Sequence, residues 1–315
     1  MGNDVIPISI ILCVYNGEKF LSAAIDSIFT QSFTDFELII VDDGSNDRTA
    51  EILARYEDPR VVIVRQSNSG YAAASNRGLS EAKAKYIAKI DDDDIALPTR
   101  LEKQFKFLEE NPDYVAVGSW ADWIAEDGRL VYTMTMPLHD HELRSKLPYS
   151  MPVPHAGSMY RASAFRKIGG YKDLGRYFYD EDTLLMIDLA RVGKFANIPE
   201  VLSQFRITMS SNTQRATSYS TTQREIVEEY FRHGTLNMEK AHTISEASGR
   251  MSVRKRRSLY YYRLGNLSIS HTDKTVFPLF DFARSILFDP LQLKSYMGLV
   301  AAILPRRLYR KLRRV

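Results

Sequence analysis

The sequence of 315 residues predicts an α/β fold: a Rossmann-like, mostly parallel sheet flanked by helices, with a helical C-terminal extension. Three observations point there. Short apolar runs alternate with helically periodic segments over the first hundred residues, turn signals separate them, and residues 223–315 read as helical. A helix between two strands carries the chain back across the sheet, so consecutive strands run parallel. Ligands in such sheets bind beyond the carboxyl ends of the strands.

The first strand is Ile8 to Val14, the buried-type run ISIILCV. Asn16 is placed to cap a helix in which Phe20, Leu21, Ala24, Ile25, Ile28 and Phe29 recur at helical spacing. Glu37 to Val41, Val61 to Val64 and Tyr86 to Ile90 supply three more strands. Asp47 to Tyr56 and Tyr71 to Ala82 supply the helices between them. Pro98 suits a first helical turn and opens a helix with Leu101, Phe105 and Leu108 inward. Beyond residue 112 the pattern loosens. Tyr114 to Ser119 and a segment near Met159 read as strands, with a turn at Glu126-Asp127-Gly128 and a proline-broken loop over Met151 to Pro154. Asp182 to Arg191 reads as a helix ended by Gly193, and residues 208–222, rich in Ser, Thr and Gln, as a mobile loop. The expected division is a catalytic domain over 1–222, with halves at about 1–110 and 111–222, then a helical basic region over 223–315.

Composition and charge narrow the class. At 44% apolar and 26% charged residues the chain is an ordinary globular one. Its single cysteine, Cys13, excludes an intrachain disulfide, fits a core position, and points to a reducing, cytoplasmic setting. No basic leader precedes the first apolar run, and no run reaches the 18 apolar residues of a spanning helix. The net charge of +3 hides an asymmetry: residues 251–315 hold 14 Lys/Arg against three Asp, leaving residues 1–250 with 28 basic and 36 acidic groups.

Two acidic clusters directly follow apolar strands, at the end where ligands bind: Asp42-Asp43-Gly44-Ser45 after ELIIV, and Asp91-Asp92-Asp93-Asp94 after YIAKI. Adjacent carboxylates repel, so packing alone gives no reason to gather them. A solvated turn accounts for Asp43 and Asp94. A divalent cation accounts for the rest, because hard oxygen ligands suit Mg²⁺ or Mn²⁺ bound through one or two carboxylates and substrate phosphates. A calcium loop counted from Asp91 fails at its sixth place, which holds Ala96 where glycine is needed. A third cluster, Asp180-Glu181-Asp182, opens a helix. One carboxylate would serve the helix dipole; three point to a further role, such as a general base towards a hydroxyl.

These residues carry a resemblance. The stretches ISIILCVYNGEKFLSAAIDSIFTQSFTDFELIIVDDGSNDRT, NSGYAAASNRGL, YIAKIDDDDIALPTRLEKQ, HAGSMYRASAFRKIGGY and DEDTLLMIDLARVG, in this order over about residues 7–207, resemble a family 2 glycosyltransferase of the GT-A fold. The resemblance implies an inverting, metal-dependent transfer from a nucleotide diphosphate sugar, UDP-linked for preference, to a hydroxyl of a glycan or lipid-linked acceptor in bacterial surface-polysaccharide synthesis. It implies that Val14, Tyr15 and Asp42 hold the base, with Asn16, Glu18 and Asn76 also at the donor. Asp91 and Asp93 match the ends of the family's DxD motif. Asp93 is then the direct metal ligand for Mn²⁺ or Mg²⁺, with Asp91 and Asp92 at the ribose or at metal-bound water. Asp182 matches the general base, with Glu181 as its fallback. Two positions depart from the pattern: Ser75 stands where many relatives carry arginine, leaving Arg77 as a candidate for the diphosphate, and Thr208 stands where many carry a histidine near the metal. His155 is an alternative imidazole. A nucleotidyltransferase would need a glycine-rich basic loop after the first strand, which is absent; a non-catalytic sugar-nucleotide or glycan-binding protein would not need all three carboxylates.

The tail combines RKRR at 254–257 with Tyr260-Tyr261-Tyr262 and a final basic run from Arg306 to Arg314. A solvated helical face, nucleic acid and anionic lipid all fit basic residues among aromatics. The apolar stretch Met297 to Leu304 beside the last run favours peripheral membrane contact, and nucleic acid is the least favoured partner.

Overall fold

The computed structural model describes residues 6–175, 178, 180–209, 221–241, 252–271 and 276–303. Most of the segment expected as a mobile loop, 210–220, lies outside them, as does the last basic run.

Strands β1 (Ile8–Val14), β2 (Phe36–Asp42), β3 (Val61–Arg65) and β4 (Tyr86–Asp91) pair in parallel in the order β3-β2-β1-β4. Helices α1 (Leu21–Phe29), α2 (Thr49–Leu53) and α3 (Tyr71–Glu81) make the crossovers. β1 and β2 are buried along their whole length, which is why they read as unbroken apolar runs rather than alternating ones. Their side chains divide by parity. Ile10, Leu12, Leu38 and Ile40 pack with α1, while Ile11, Cys13, Ile39 and Val41 pack with α3, so both faces are covered.

After β5 (Ile95–Ala96) and α4 (Arg100–Glu110) the sheet changes direction. β6 (Tyr114–Ile124) and β8 (Met159–Arg161) are antiparallel to each other, and β8 is antiparallel to β4. β9 (Lys194–Arg206) extends the sheet and pairs antiparallel with β5. α5 (Asp140–Arg144), α6 (Ala162–Ile168) and α7 (Glu181–Ala190) fill the connections, with a 3₁₀ turn at His155–Gly157.

Asn16 does not cap α1. That helix starts at Leu21 behind Phe20, with no side-chain cap, and Asn16 adopts φ 58°, its Oδ1 accepting from the Asn46 amide at 2.7 Å. Asparagine tolerates this left-handed conformation, and the turn it permits carries the chain over six residues, 15–20, from strand to helix.

Two compact units form. The first comprises residues 1–121, 135–205 and 219–248; the second comprises 122–134, 206–218 and 249–315. The first also holds α8 (Thr221–His233). In the second, the hairpin from β6 to β7 (Leu130–Met134) packs on α9 (Val253–His271) through Ala125, Val131, Ile207, Tyr260 and Leu264. The Tyr260 hydroxyl accepts from the Glu126 amide at 3.1 Å, and Arg129 reaches Asp281 at 3.1 Å. α9 packs on α10 (Val276–Phe288) and α10 on α11 (Leu293–Ile303).

Candidate active site

The register of the parallel strands brings the site together. Val14 stands opposite Asp42 and Cys13 opposite Asp91, so β1, β2 and β4 deliver their last residues to one edge of the sheet. The turns that follow lace to each other. The amides of Asn16, Gly17 and Glu18 donate to Ser45 Oγ, Thr49 Oγ1 and Asp47 Oδ2 at 2.9, 2.9 and 3.0 Å. Glu18 in turn accepts from the Arg48 amide at 3.2 Å. Asp42, buried, accepts from the Ser45 amide at 2.9 Å and faces Arg65 Nε at 3.1 Å. Tyr15 is the large apolar residue that stands out from this edge, 46% exposed, beside the exposed Asn16 and Glu18.

Asp43 and Asp94 are not solvated turn residues: both are buried. Asp43 accepts from the Ser69 and Gly70 amides at 2.8 and 2.9 Å and from Gln66 Nε2 at 2.8 Å, which fixes the approach to α3. Asp94 lies near enough to the buried Arg100 to oppose the fall in that group's pKa, which burial lowers to about 10. A β-carbon added at Gly17 would lie 2.4 Å from Asp92 Oδ2, so the turn after β1 lies directly against the acidic turn after β4.

Around Asp91 the surroundings change character. Tyr71 donates its hydroxyl to Asp91 Oδ1 at 3.2 Å. Two residues earlier, and so on the same face of β4, stands the fully buried Lys89. Its ammonium lies 3.3 Å from Ser75 Oγ and 3.8 Å from Cys13 Sγ, and 5.2 and 5.8 Å from the ring centres of Tyr71 and Tyr171. The cation beside Ser75 is therefore Lys89. Arg77 is on an exposed face of α3, paired with Glu81 at 2.8 Å.

His155 joins this cluster to the third carboxylate group. Its Nε2 lies 3.3 Å from Asp182 Oδ1 and 2.9 Å from the Tyr171 hydroxyl, and its Nδ1 lies 3.0 Å from the Tyr160 hydroxyl. β8 supplies Tyr160, the 3₁₀ turn supplies His155, and the first turn of α7 supplies Glu181 and Asp182. Asn76 spends both ends of its amide on Tyr171: Nδ2 donates to the Tyr171 carbonyl at 3.0 Å and Oδ1 accepts from its amide at 2.8 Å. Asn76 thus holds the ring that lies against His155. No side-chain cap forms at the start of α7, so the carboxylates there are not used up in capping.

The electrostatics follow from crowding acids in a poorly hydrated place. Burial, then the Asp91 carboxylate, pushes Asp182 up to about 7, against the pull of Lys89. Glu181 is held well above the usual carboxylate range by burial and by Asp182, and Asp92 by burial and by Asp93 and Asp91. Asp91 is raised by burial, with Lys89 and the Tyr71 hydroxyl opposing. Burial and Lys89 hold His155 well below its usual value, so its ring is neutral. Burial also pushes Tyr71, Tyr160 and Tyr171 far up, which keeps them protonated as donors. A carboxylate balanced near neutrality, with its side chain 37% exposed, is suited to take a proton from a hydroxyl.

The turn Asp91-Asp92-Asp93 fits a divalent cation: its oxygens are hard donors, and a cation there would offset the burial that raises Asp91 and Asp92 and the repulsion from Asp93 and Asp91 that raises Asp92 further. Among the described residues no cluster of three or more His, Cys, Asp or Glu side chains is arranged to enclose a metal on its own. Magnesium-type ions ordinarily take one or two carboxylates and complete their shell with phosphate and water. Thr208 is buried in the second unit.

Sequence reasoning missed Lys89, Tyr71, Tyr160 and Tyr171. One signal was available. A lysine inside the apolar run YIAKI, in phase with Asp91, breaks the pattern of a strand covered on both faces.

The family model for glycosyl transferase family 2 matches residues 9–169. The putative glycosyltransferase EpsE of Bacillus subtilis (strain 168) is 34% identical over 218 residues, 68% of this chain and 77% of that protein. The O-antigen biosynthesis glycosyltransferase WbnJ of Escherichia coli is 30% identical over 216 residues, 67% of this chain and 84% of WbnJ. Among solved structures, S. aureus TarS 1-349 in complex with UDP-GlcNAc superposes with a TM-score of 0.60 at 16% identity, covering 97% of this chain and 92% of that one. The mannosyltransferase PcManGT from Pyrobaculum calidifontis, in complex with GDP-Man and Mn²⁺, gives 0.56 at 16% identity, with 95% and 86% covered.

Proposed function

We propose, from the premise that the chain belongs to glycosyl transferase family 2 and has the GT-A fold, that it is an inverting, metal-dependent enzyme acting on a nucleotide diphosphate sugar. The observation that carries this reading is the pairing of Asp182, at about 7, with the acidic turn whose Asp91 raises it.

In this reading Tyr15 and Val14, at the end of β1, and Asp42 of β2 receive the base of a uridine diphosphate sugar. Asn16 and Glu18 shape the turn under it, and Asn76 contributes through Tyr171. Asp93 and Asp91 hold Mn²⁺ or Mg²⁺, with Asp92 beside them. Bound there, the ion would neutralise charge building on the departing diphosphate. Asp182 takes the proton of the acceptor hydroxyl while that oxygen forms its bond to the anomeric carbon and the diphosphate oxygen leaves with the bonding electrons. A single displacement inverts the centre; the second carboxylate that retaining glycosidases use as nucleophile has no part in it. His155, neutral and fixed by Tyr160 and Tyr171, orients Asp182.

The acceptor is a glycan or lipid-linked hydroxyl in surface-polysaccharide assembly, a setting supported by the O-antigen name of WbnJ. The basic C-terminal region holds the enzyme by charge to the inner face of an anionic membrane, where such an acceptor is carried.

A thermal-shift panel of uridine and guanosine diphosphate sugars, with and without Mn²⁺, tests the donor side. One sugar nucleotide should raise the melting temperature only with the metal present, and Asp93→Ala should remove that rise while melting normally itself. Equal metal-dependent binding by Asp93→Ala overturns the ligand assignment.

A further inference from the structure

The three helices of the second unit are built inside out. Where α9, α10 and α11 meet, hydroxyls and glycines join the helices around one buried aromatic ring, Phe282. Ser258 donates to the Ser285 carbonyl at 2.9 Å, and Ser285 Oγ lies 2.7 Å from Ser295 Oγ, with all three serines fully buried. A β-carbon at Gly298 would fall 2.2 Å from the Phe282 ring, so only glycine lets α11 approach that closely. Outward, Leu287, Leu291, Leu293, Met297, Val300 and Ile303 are 59–87% exposed. In α11 the positions 293, 297 and 300 recur at helical spacing and make one continuous stripe.

A helix in water turns its apolar stripe to the core. In lipid the drive to bury that stripe is lost, and small and hydroxyl-bearing residues join the helices instead. The second pattern is the one seen here. The helices are too short to cross: at 13 and 11 residues, α10 and α11 span about 20 and 17 Å against a hydrocarbon core of about 30 Å. No helix among the described residues is long and apolar enough to do so.

Charge flanks the same face. Arg254, Lys255 and Arg257 are exposed at the start of α9; Arg254 Nε donates to the Phe288 carbonyl, and the Arg257 guanidinium lies 5.5 Å from the centre of the Phe288 ring. Arg254 and Arg257 therefore stand where α10 ends, at Phe288 beside the exposed Leu287. After Ile303 the sequence adds six Lys/Arg and no acid. Cations bordering an apolar face complement anionic headgroups above acyl chains.

We propose that the outward face of α10 and α11 enters one leaflet of an anionic bilayer, as a monotopic anchor rather than a purely electrostatic contact. This rests on the membrane contact proposed above only for the sign of the lipid charge, and not at all on the transfer chemistry.

The test is flotation of the full-length protein with phosphatidylglycerol–phosphatidylcholine vesicles at low salt and at high salt. Wild type should bind at both, since salt screens charge but not burial. Leu291→Glu/Met297→Glu should bind at low salt roughly tenfold more weakly and lose the salt-resistant fraction, a loss of a few buried methylene groups' worth. Both positions are exposed, so the variant should keep its melting temperature and its light-scattering mass. Leu291→Trp should be quenched by lipid brominated on the acyl chain. Wild type released completely by salt leaves the electrostatic contact standing and overturns insertion. Failure to bind at low salt overturns both. A lipid-free dimer that Leu291→Glu/Met297→Glu converts to monomer would give the face to a second copy and overturn the proposal.

Discussion

The carboxylates after β2 and those after β4 stand at the same end of one sheet, yet they meet opposite surroundings. Asp42 and Asp43 are surrounded by donors: an arginine, a glutamine side chain and three backbone amides. Asp91, Asp92, Glu181 and Asp182 are crowded by one another and by burial, with Lys89 and the Tyr71 hydroxyl near Asp91 and His155 beside Asp182, and their protons are held more tightly for it. At Asp43, where three donors are already in place, the carboxylate is part of the architecture. Carboxylates that repel one another in a cleft are groups awaiting a cation or a proton. Acidity of sequence was the same in both; the partners differ.

The comparison breaks most visibly at Asp182. Asp182→Asn should lower transfer by about 10²–10⁴ while donor affinity stays within a fewfold, as removal of a general base does. Single-turnover rates beside a donor titration would measure it, and near-normal turnover would move the base to Glu181. Since the carboxylate is the active form, transfer by wild type should rise with pH through about 7.

Asp43 should respond in the other direction. Asp43→Ala strands the Ser69 and Gly70 amides at the entry to α3 and should cost about 2–3 kcal/mol of stability. Urea unfolding would show the loss. A melting curve as stable as wild type would mean these amides find water, and the contrast between the two patches would weaken.

Lys89 sharpens the same contrast, because it acts on Asp91, Asp182 and His155 together. Lys89→Met keeps the length of the side chain and removes its charge. Asp182 then holds its proton to higher pH, so the rise of transfer moves to higher pH and activity at pH 6.5 falls roughly tenfold, recovering as pH increases. A uniform loss at every pH would instead indicate that Lys89 only packs.

How far the sequence revealed this depended on the range of the interactions involved. The parallel core was legible because ISIILCV, ELIIV and the helices between them are local patterns, and Asp91 and Asp182 were visible as acids that packing does not call for. Asn16 misled because a cap and a left-handed turn both want a short polar side chain; only the partner 30 residues away, Asn46, separates them. Asp43 looked solvated because its donors arrive from residues 66–70. The tyrosine and histidine cluster gathers side chains from residue 71 to residue 182, and no local pattern foretells that meeting. The grouping of 122–134 with 249–315 was hidden for the same reason, since the hairpin's partner is α9.

The smallest effect expected concerns stability at the reacting carboxylate itself. Burial and the Asp91 carboxylate push Asp182 up to about 7 in the folded chain, from the ordinary aspartate value of about 3.9. The folded state therefore binds this proton more readily than the unfolded state does. As pH rises above the unfolded value, Asp182 ionises at a growing cost to the fold, and the cost is complete once pH exceeds about 7. Asp182→Asn carries no such charge and is close to isosteric. The variant should melt with wild type at pH 4 and above it by about 1–2 °C at pH 8, a modest gain because more than a third of the Asp182 side chain meets solvent. Calorimetry at the two pH values measures the difference. A variant less stable than wild type at pH 8 would mean that the Asp182 carboxylate is held by donors after all, as Asp43 is, and would remove the distinction between the two acidic patches.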